Sequence, residues 1–65
     1  MEVILYSTGC PKCRVLERKL SDKGIDFTEN TSLDEMETLG IMEVPVLSVD
    51  GELLGFLDAI QWLNN

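Results

Sequence analysis

The chain reads as one α/β domain spanning residues 1–65, with the order β-α-β-α-β-β-α and a four-stranded mixed sheet covered by helices on both faces. Three features predict this. Val3-Ile4-Leu5-Tyr6 is a continuous apolar run of strand-forming residues. Cys13, Leu16 and Leu20 recur at helical spacing, and Asp50-Gly51 separates two further apolar runs. A chain of 65 residues, 45% of them hydrophobic, builds a thin core.

The elements follow in order. Val3–Tyr6 lacks alternation, as a central strand covered on both faces does. Ser7-Thr8-Gly9 turns the chain, and Cys10 opens a helix in which Pro11 takes the first position. Lys19 and Lys23 complement the negative end of that helix, and Gly24 stops it. Ile25-Asp26-Phe27-Thr28-Glu29 alternates as a half-buried strand does. Ser32-Leu33-Asp34-Glu35 has the form of a capping box, opening a short helix to Leu39 and Gly40, with Leu33, Met36 and Leu39 as its apolar stripe. Val44–Val49, with Pro45 near its start, and Glu52–Leu54 form a hairpin around a type I′ Asp50-Gly51 turn. Asp58-Ala59-Ile60-Gln61 is a second capping box, opening a terminal helix that buries Ile60 and Leu63 with Trp62. Strands joined through a helix run parallel with a right-handed crossover, and the hairpin adds an antiparallel pair.

Composition narrows the function. The start Met1-Glu2-Val3 has no basic segment followed by a long apolar stretch, so no signal peptide is expected, and no uncharged run approaches the ~20 residues of a membrane span. Twelve acidic and five basic residues give a net charge of −7, which argues against general nucleic-acid binding. A cytoplasmic monomer is the expectation. All five basic residues (Lys12, Arg14, Arg18, Lys19 and Lys23) lie between positions 12 and 23. The first 24 residues therefore carry +2, from five basic and three acidic residues, and the remainder −9. That concentration is either a solvated helix face or positive potential placed beside the cysteines.

Both cysteines lie in Cys10-Pro11-Lys12-Cys13. A bridge there closes too small a loop to act as a staple, so chemistry is the better use of the pair. Cys10 at the helix N-cap faces the positive end of the dipole and unpaired N–H groups, which stabilise the attacking thiolate. Cys13, one turn further in, is the more buried thiol and resolves the mixed disulfide. Lys12 and Arg14 oppose the dipole in the first turn, at a cost of roughly 0.3–1 kcal/mol. Stabilising that anion explains them; a tolerated surface lysine is the plain alternative. Zinc needs four ligands, and the chain has two thiols and no histidine, so no metal site is expected within one chain. A metal or iron–sulfur carrier would need a second copy, external thiols or nearby carboxylates.

Tyr6-Ser7-Thr8-Gly9-Cys10-Pro11-Lys12-Cys13, Glu43-Val44-Pro45-Val46 ahead of a hairpin, and Gly55-Phe56 together resemble a glutaredoxin-like protein of the thioredoxin superfamily, in a short form and over essentially the whole chain. The resemblance implies a dithiol–disulfide oxidoreductase with Cys10 as nucleophile, Cys13 as resolving thiol and a redox-active Cys10–Cys13 disulfide in place of any bound cofactor. It also implies a cis peptide before Pro45, which brings the Val44 backbone beside the cysteines to pair with an extended substrate. The substrate-contacting set expected with it is Pro11, Lys12, Val44, Pro45, Gly55 and Asp58. Asp58 serves equally well as a helix cap.

Expected partners are a disulfide-containing protein substrate and either thioredoxin reductase or glutathione as electron donor. Glutathione-binding members usually carry lysine where this chain has Ser7, threonine where it has Glu43, and a Gly-Gly where it has Leu54-Gly55. Weak glutathione use is therefore expected, improved by a Ser7→Lys, Glu43→Thr double change. Gly55-Phe56 also resembles redoxins that draw on thioredoxin reductase, although their longer Trp-containing stretch is missing.

Overall fold

A computed structural model describes residues 1–64. Seven elements follow the expected order: β1 (Val3–Tyr6), α1 (Pro11–Asp22), β2 (Thr28–Asn30), α2 (Leu33–Thr38), β3 (Val46–Val49), β4 (Glu52–Leu54) and α3 (Phe56–Asn64). The sheet order is β2-β1-β3-β4. β1 pairs in parallel with β2, placing Leu5 opposite Glu29, and antiparallel with β3, placing Leu5 opposite Leu47. The β3–β4 hairpin turns through Asp50 (φ 50°) and Gly51 (φ 90°), the two positive φ values that a type I′ turn requires.

The pleat sends alternate residues of β1 to opposite faces. Val3 and Leu5 join Leu16 and Leu20 of α1, Leu47 of β3, and Ala59 and Leu63 of α3 in the core. Ile4 and Tyr6 instead line a groove shared with Asp34, Glu35, Thr38 and Leu39 of the α2 region. Helices thus cover both faces, and this is a thioredoxin-like arrangement. Among the described residues no helix is long and apolar enough to cross a membrane.

The second strand is shorter and later than the Ile25–Glu29 alternation predicts. Ile25 closes the preceding helix instead: its N–H donates to the Leu20 carbonyl (3.0 Å) and that of Gly24 (φ 68°) to Ser21 (3.0 Å). This double bond pattern, with an apolar residue just past the glycine, is a Schellman cap. Ile25 and Phe27 still pack against the core, but from an irregular segment. The third strand likewise begins at Val46 and not Val44, because β1 ends at Tyr6, the partner of Val46.

The stripe expected on α2 is buried only at Met36; Leu33 is 68% and Leu39 46% exposed. Six residues at 1.5 Å each make a helix of about 9 Å, too short to lay three side chains on the sheet. The last helix starts at Phe56, with the Ala59 N–H donating to the Gly55 carbonyl (2.8 Å). Asp58 is therefore not its cap; it sits inside the first turn, where its charge complements the dipole.

Candidate active site

β1 delivers the chain to the site, and Gly9 (φ 81°) supplies the left-handed turn into α1. Cys10 is the N-cap residue, extended at φ −69° and ψ 164°, with Pro11 in the first turn. The Cys10 carbonyl accepts from the Arg14 N–H (3.0 Å), and its Sγ accepts from the Cys13 N–H (3.2 Å). Cys10 is half-buried, Cys13 fully buried, and both are free thiols.

These environments push the two sulfurs in opposite directions. The Cys10 thiol lies below its ordinary value of 9.0: the Cys13 side chain donates to it, a smaller desolvation opposes this, and the N–H groups of Cys13, Lys12 and Cys10 add to the lowering. The Cys13 thiol is raised, first by burial and then by its bond to Cys10. Lys12 contributes through its backbone; its ammonium lies 5.4 Å from the Phe56 ring centroid, in cation–π range.

A groove of about 410 Å³ joins Lys12 to Glu43, Val44, Pro45, Gly55 and Phe56. The Val44–Pro45 peptide is cis, with Pro45 buried and Val44 half-buried. Four of the six residues expected around the cysteines thus share one cleft. Pro11 is exposed at the start of α1 and is not on its wall. Asp58 stands apart, on a shallow depression with Val49, Leu54 and Trp62.

A family model described as a thioredoxin domain matches residues 1–55. The chain belongs to the thioredoxin superfamily. Among curated proteins, a thioredoxin from Methanothermobacter thermautotrophicus is 36% identical over 59 residues, covering 82% of this chain and 77% of that protein. No solved structure gives a significant match.

This thioredoxin-family chain also holds a polar cluster that sequence reasoning missed. Ser7 is fully buried, and its hydroxyl donates to Glu29 Oε2 at 2.6 Å. Glu17, half-buried on α1, stands against the same Glu29. Its carboxyl is raised above the ordinary 4.5 by burial and then by Glu29, with Arg14 opposing. The only sequence signal was an acid four residues beyond Cys13; its meeting with Glu29 depends on the β1–β2 register.

A raised carboxyl keeps its proton longer in the folded state than in the unfolded one. The folded chain therefore loses stability as pH rises from about the ordinary value through the raised one. A Glu17→Gln variant, whose amide can donate to Glu29, is expected to equal the native chain near pH 4. At pH 7 it should be the more stable, by no more than about 1 kcal/mol at this partly exposed pair. Urea unfolding at the two pH values measures this, and a gap that does not widen with pH contradicts it.

Proposed function

We propose that the protein is a dithiol reductant of disulfides, with Cys10 as nucleophile and Cys13 as resolving thiol. The observation that carries this is the opposed setting of the two sulfurs: Cys10 half-buried with its thiolate favoured, Cys13 buried with its thiol favoured, and the Cys13 N–H and thiol both turned toward the Cys10 sulfur. The Cys10 thiolate attacks one sulfur of the substrate disulfide. A Cys10–substrate bond forms as the substrate bond breaks, and the first substrate thiol leaves with a proton from solvent. Cys13 then gives up its proton and attacks Cys10 Sγ, releasing the second thiol and leaving a Cys10–Cys13 disulfide. Two electrons and two protons pass to the substrate.

The groove with Lys12, the neighbour of Cys13, and with Val44, Pro45 and Gly55 on it suits an extended polypeptide segment lying along the Val44 backbone. Pro11 is exposed beside Cys10, whereas Asp58 lies on a separate depression. The reaction belongs in the cytoplasm, where thiols stay reduced, with the chain acting as a monomer. Incubating the reduced chain with excess bis(2-hydroxyethyl) disulfide tests the reaction. The expected product is protein lighter by two hydrogens, with both cysteines resistant to alkylation. Protein left unoxidised overturns the reading.

Electrons return from thioredoxin reductase or from glutathione, and we propose glutathione as the poorer donor. It is anionic, and Glu43 stands on the groove wall. Ser7 is fully buried and tied to Glu29, so a Ser7→Lys change would also place an ammonium beside two carboxylates. A single Glu43→Thr change is the cleaner probe. It removes one like charge at an exposed site and should raise the glutathione-coupled rate about two- to fivefold. An unchanged rate means that Glu43 does not weaken glutathione binding.

A further inference from the structure

A second depression, of about 290 Å³, lies on the α2 side of the cysteines; Thr8, Leu33, Glu37, Ile41, Met42 and Val44 line it. It is continuous with the site already described. Val44 belongs to both depressions, and Thr8 is two residues from Cys10, a step of at most about 7 Å along an extended chain. Leu33 and Met42 are 68% and 92% exposed, large apolar side chains that the core does not use.

The charged residue on the wall of this depression is acidic, and the nearest cation, Lys12, stands on the adjoining groove that shares Val44 with it. Glu37 is on its wall, Asp34 and Glu35 are on the same helix, and Glu43 follows Met42. Every basic residue of the chain lies between positions 12 and 23, in α1 or just past its end. A second copy offering this same acidic surface would be repelled, whereas an apolar segment carrying a cation would be attracted.

We propose that this depression is a specificity subsite for polypeptide disulfides: it takes an apolar side chain two or three residues from the substrate cysteine, followed by a lysine or arginine that faces Glu37. The inference rests on the dithiol exchange proposed above and adds to it a sequence preference among polypeptide substrates.

Four symmetrical peptide disulfides test it. They differ only in the pair of residues placed two and three positions from the cysteine: Leu-Lys, Ala-Lys, Leu-Glu or Ala-Glu. Reduction rates with the full reduced chain are divided by its rate on bis(2-hydroxyethyl) disulfide, which is too small to reach the depression. The Leu-Lys peptide should exceed both Ala-Lys and Leu-Glu by about tenfold. A Leu33→Ser, Met42→Ser double variant, changed only at exposed positions, should reduce the Leu-over-Ala preference to below about twofold. Glu37→Lys should invert the preference for Lys over Glu.

Native protein that reduces bis(2-hydroxyethyl) disulfide yet treats all four peptides within about twofold overturns the subsite and leaves the dithiol reaction standing. Protein that reduces no disulfide overturns the dithiol reading, and the subsite with it. Sedimentation showing a dimer that Leu33→Ser, Met42→Ser dissociates assigns the depression to a second copy and equally overturns it.

Discussion

A Cys10→Ser variant is expected to lose disulfide reduction by at least about a thousandfold, because a hydroxyl near neutral pH has no counterpart to the thiolate. The helix end that favours the Cys10 anion, with N–H groups of Cys13, Lys12 and Cys10 turned toward it, then has no nucleophile to act on. Cys13→Ser should fail differently. The first attack still proceeds, but nothing buried behind Cys10 releases the product, so the chain accumulates as a stable mixed disulfide on Cys10. Intact-mass measurement after incubation with a disulfide separates the two variants. Adduct on Cys13 in the Cys10→Ser protein, at a rate near that of the native chain, would reverse the roles.

Leu5→Ala should be the most damaging apolar substitution. Leu5 is fully buried in the middle of β1, between β2 and β3, and packs among the leucines of α1, β3 and α3. Truncating a buried leucine costs about 2–5 kcal/mol through lost transfer energy and the cavity left behind. A domain of this size has a total stability of about 3–10 kcal/mol. Leu5→Ala should therefore remove a large share of that stability and lower the urea midpoint by a comparable share. Leu57→Ala, at a position 76% exposed, should shift stability by about 0.5 kcal/mol or less. Urea titrations of both variants check this, and comparable losses from the two would contradict the core assignment.

Most of the fold was legible because local chemistry and tertiary packing agree. The continuous apolar run of β1, the Cys13-Leu16-Leu20 face of α1 and the Asp50-Gly51 turn each take the structure that their pattern favours. Ser32 caps α2, its hydroxyl accepting from the Glu35 N–H at 3.2 Å, but the other half of the expected box is replaced: the Ser32 N–H donates to Asn30 Oδ1 (2.9 Å) and the Glu35 carboxylate accepts from the Asn30 amide. The pattern misled where one residue type serves two purposes. Ile25 and Phe27 alternate as in a strand, yet Ile25 completes a helix cap. Asp58 fits a cap motif, but the helix had already begun at Phe56.

The site divides along the same line. Cys10 and Cys13 were readable because their spacing and the helix start are local. The cleft joining Lys12 to Val44, Pro45 and Gly55 was reachable through the resemblance. The bond from Ser7 to Glu29 and the pairing of Glu29 with Glu17 depend on strand register and helix rotation, which no short motif encodes. Leu33 looked like core by spacing; only the brevity of α2 leaves it exposed beside the site.

Alkylation of the reduced native chain with iodoacetamide, followed across pH and resolved for each cysteine by peptide mass spectrometry, tests the division of labour between the sulfurs most directly. Cys10 should react first, with a midpoint below the ordinary thiol value of 9.0, and Cys13 only slowly and at higher pH. Equal midpoints, or modification of Cys13 ahead of Cys10, would contradict it.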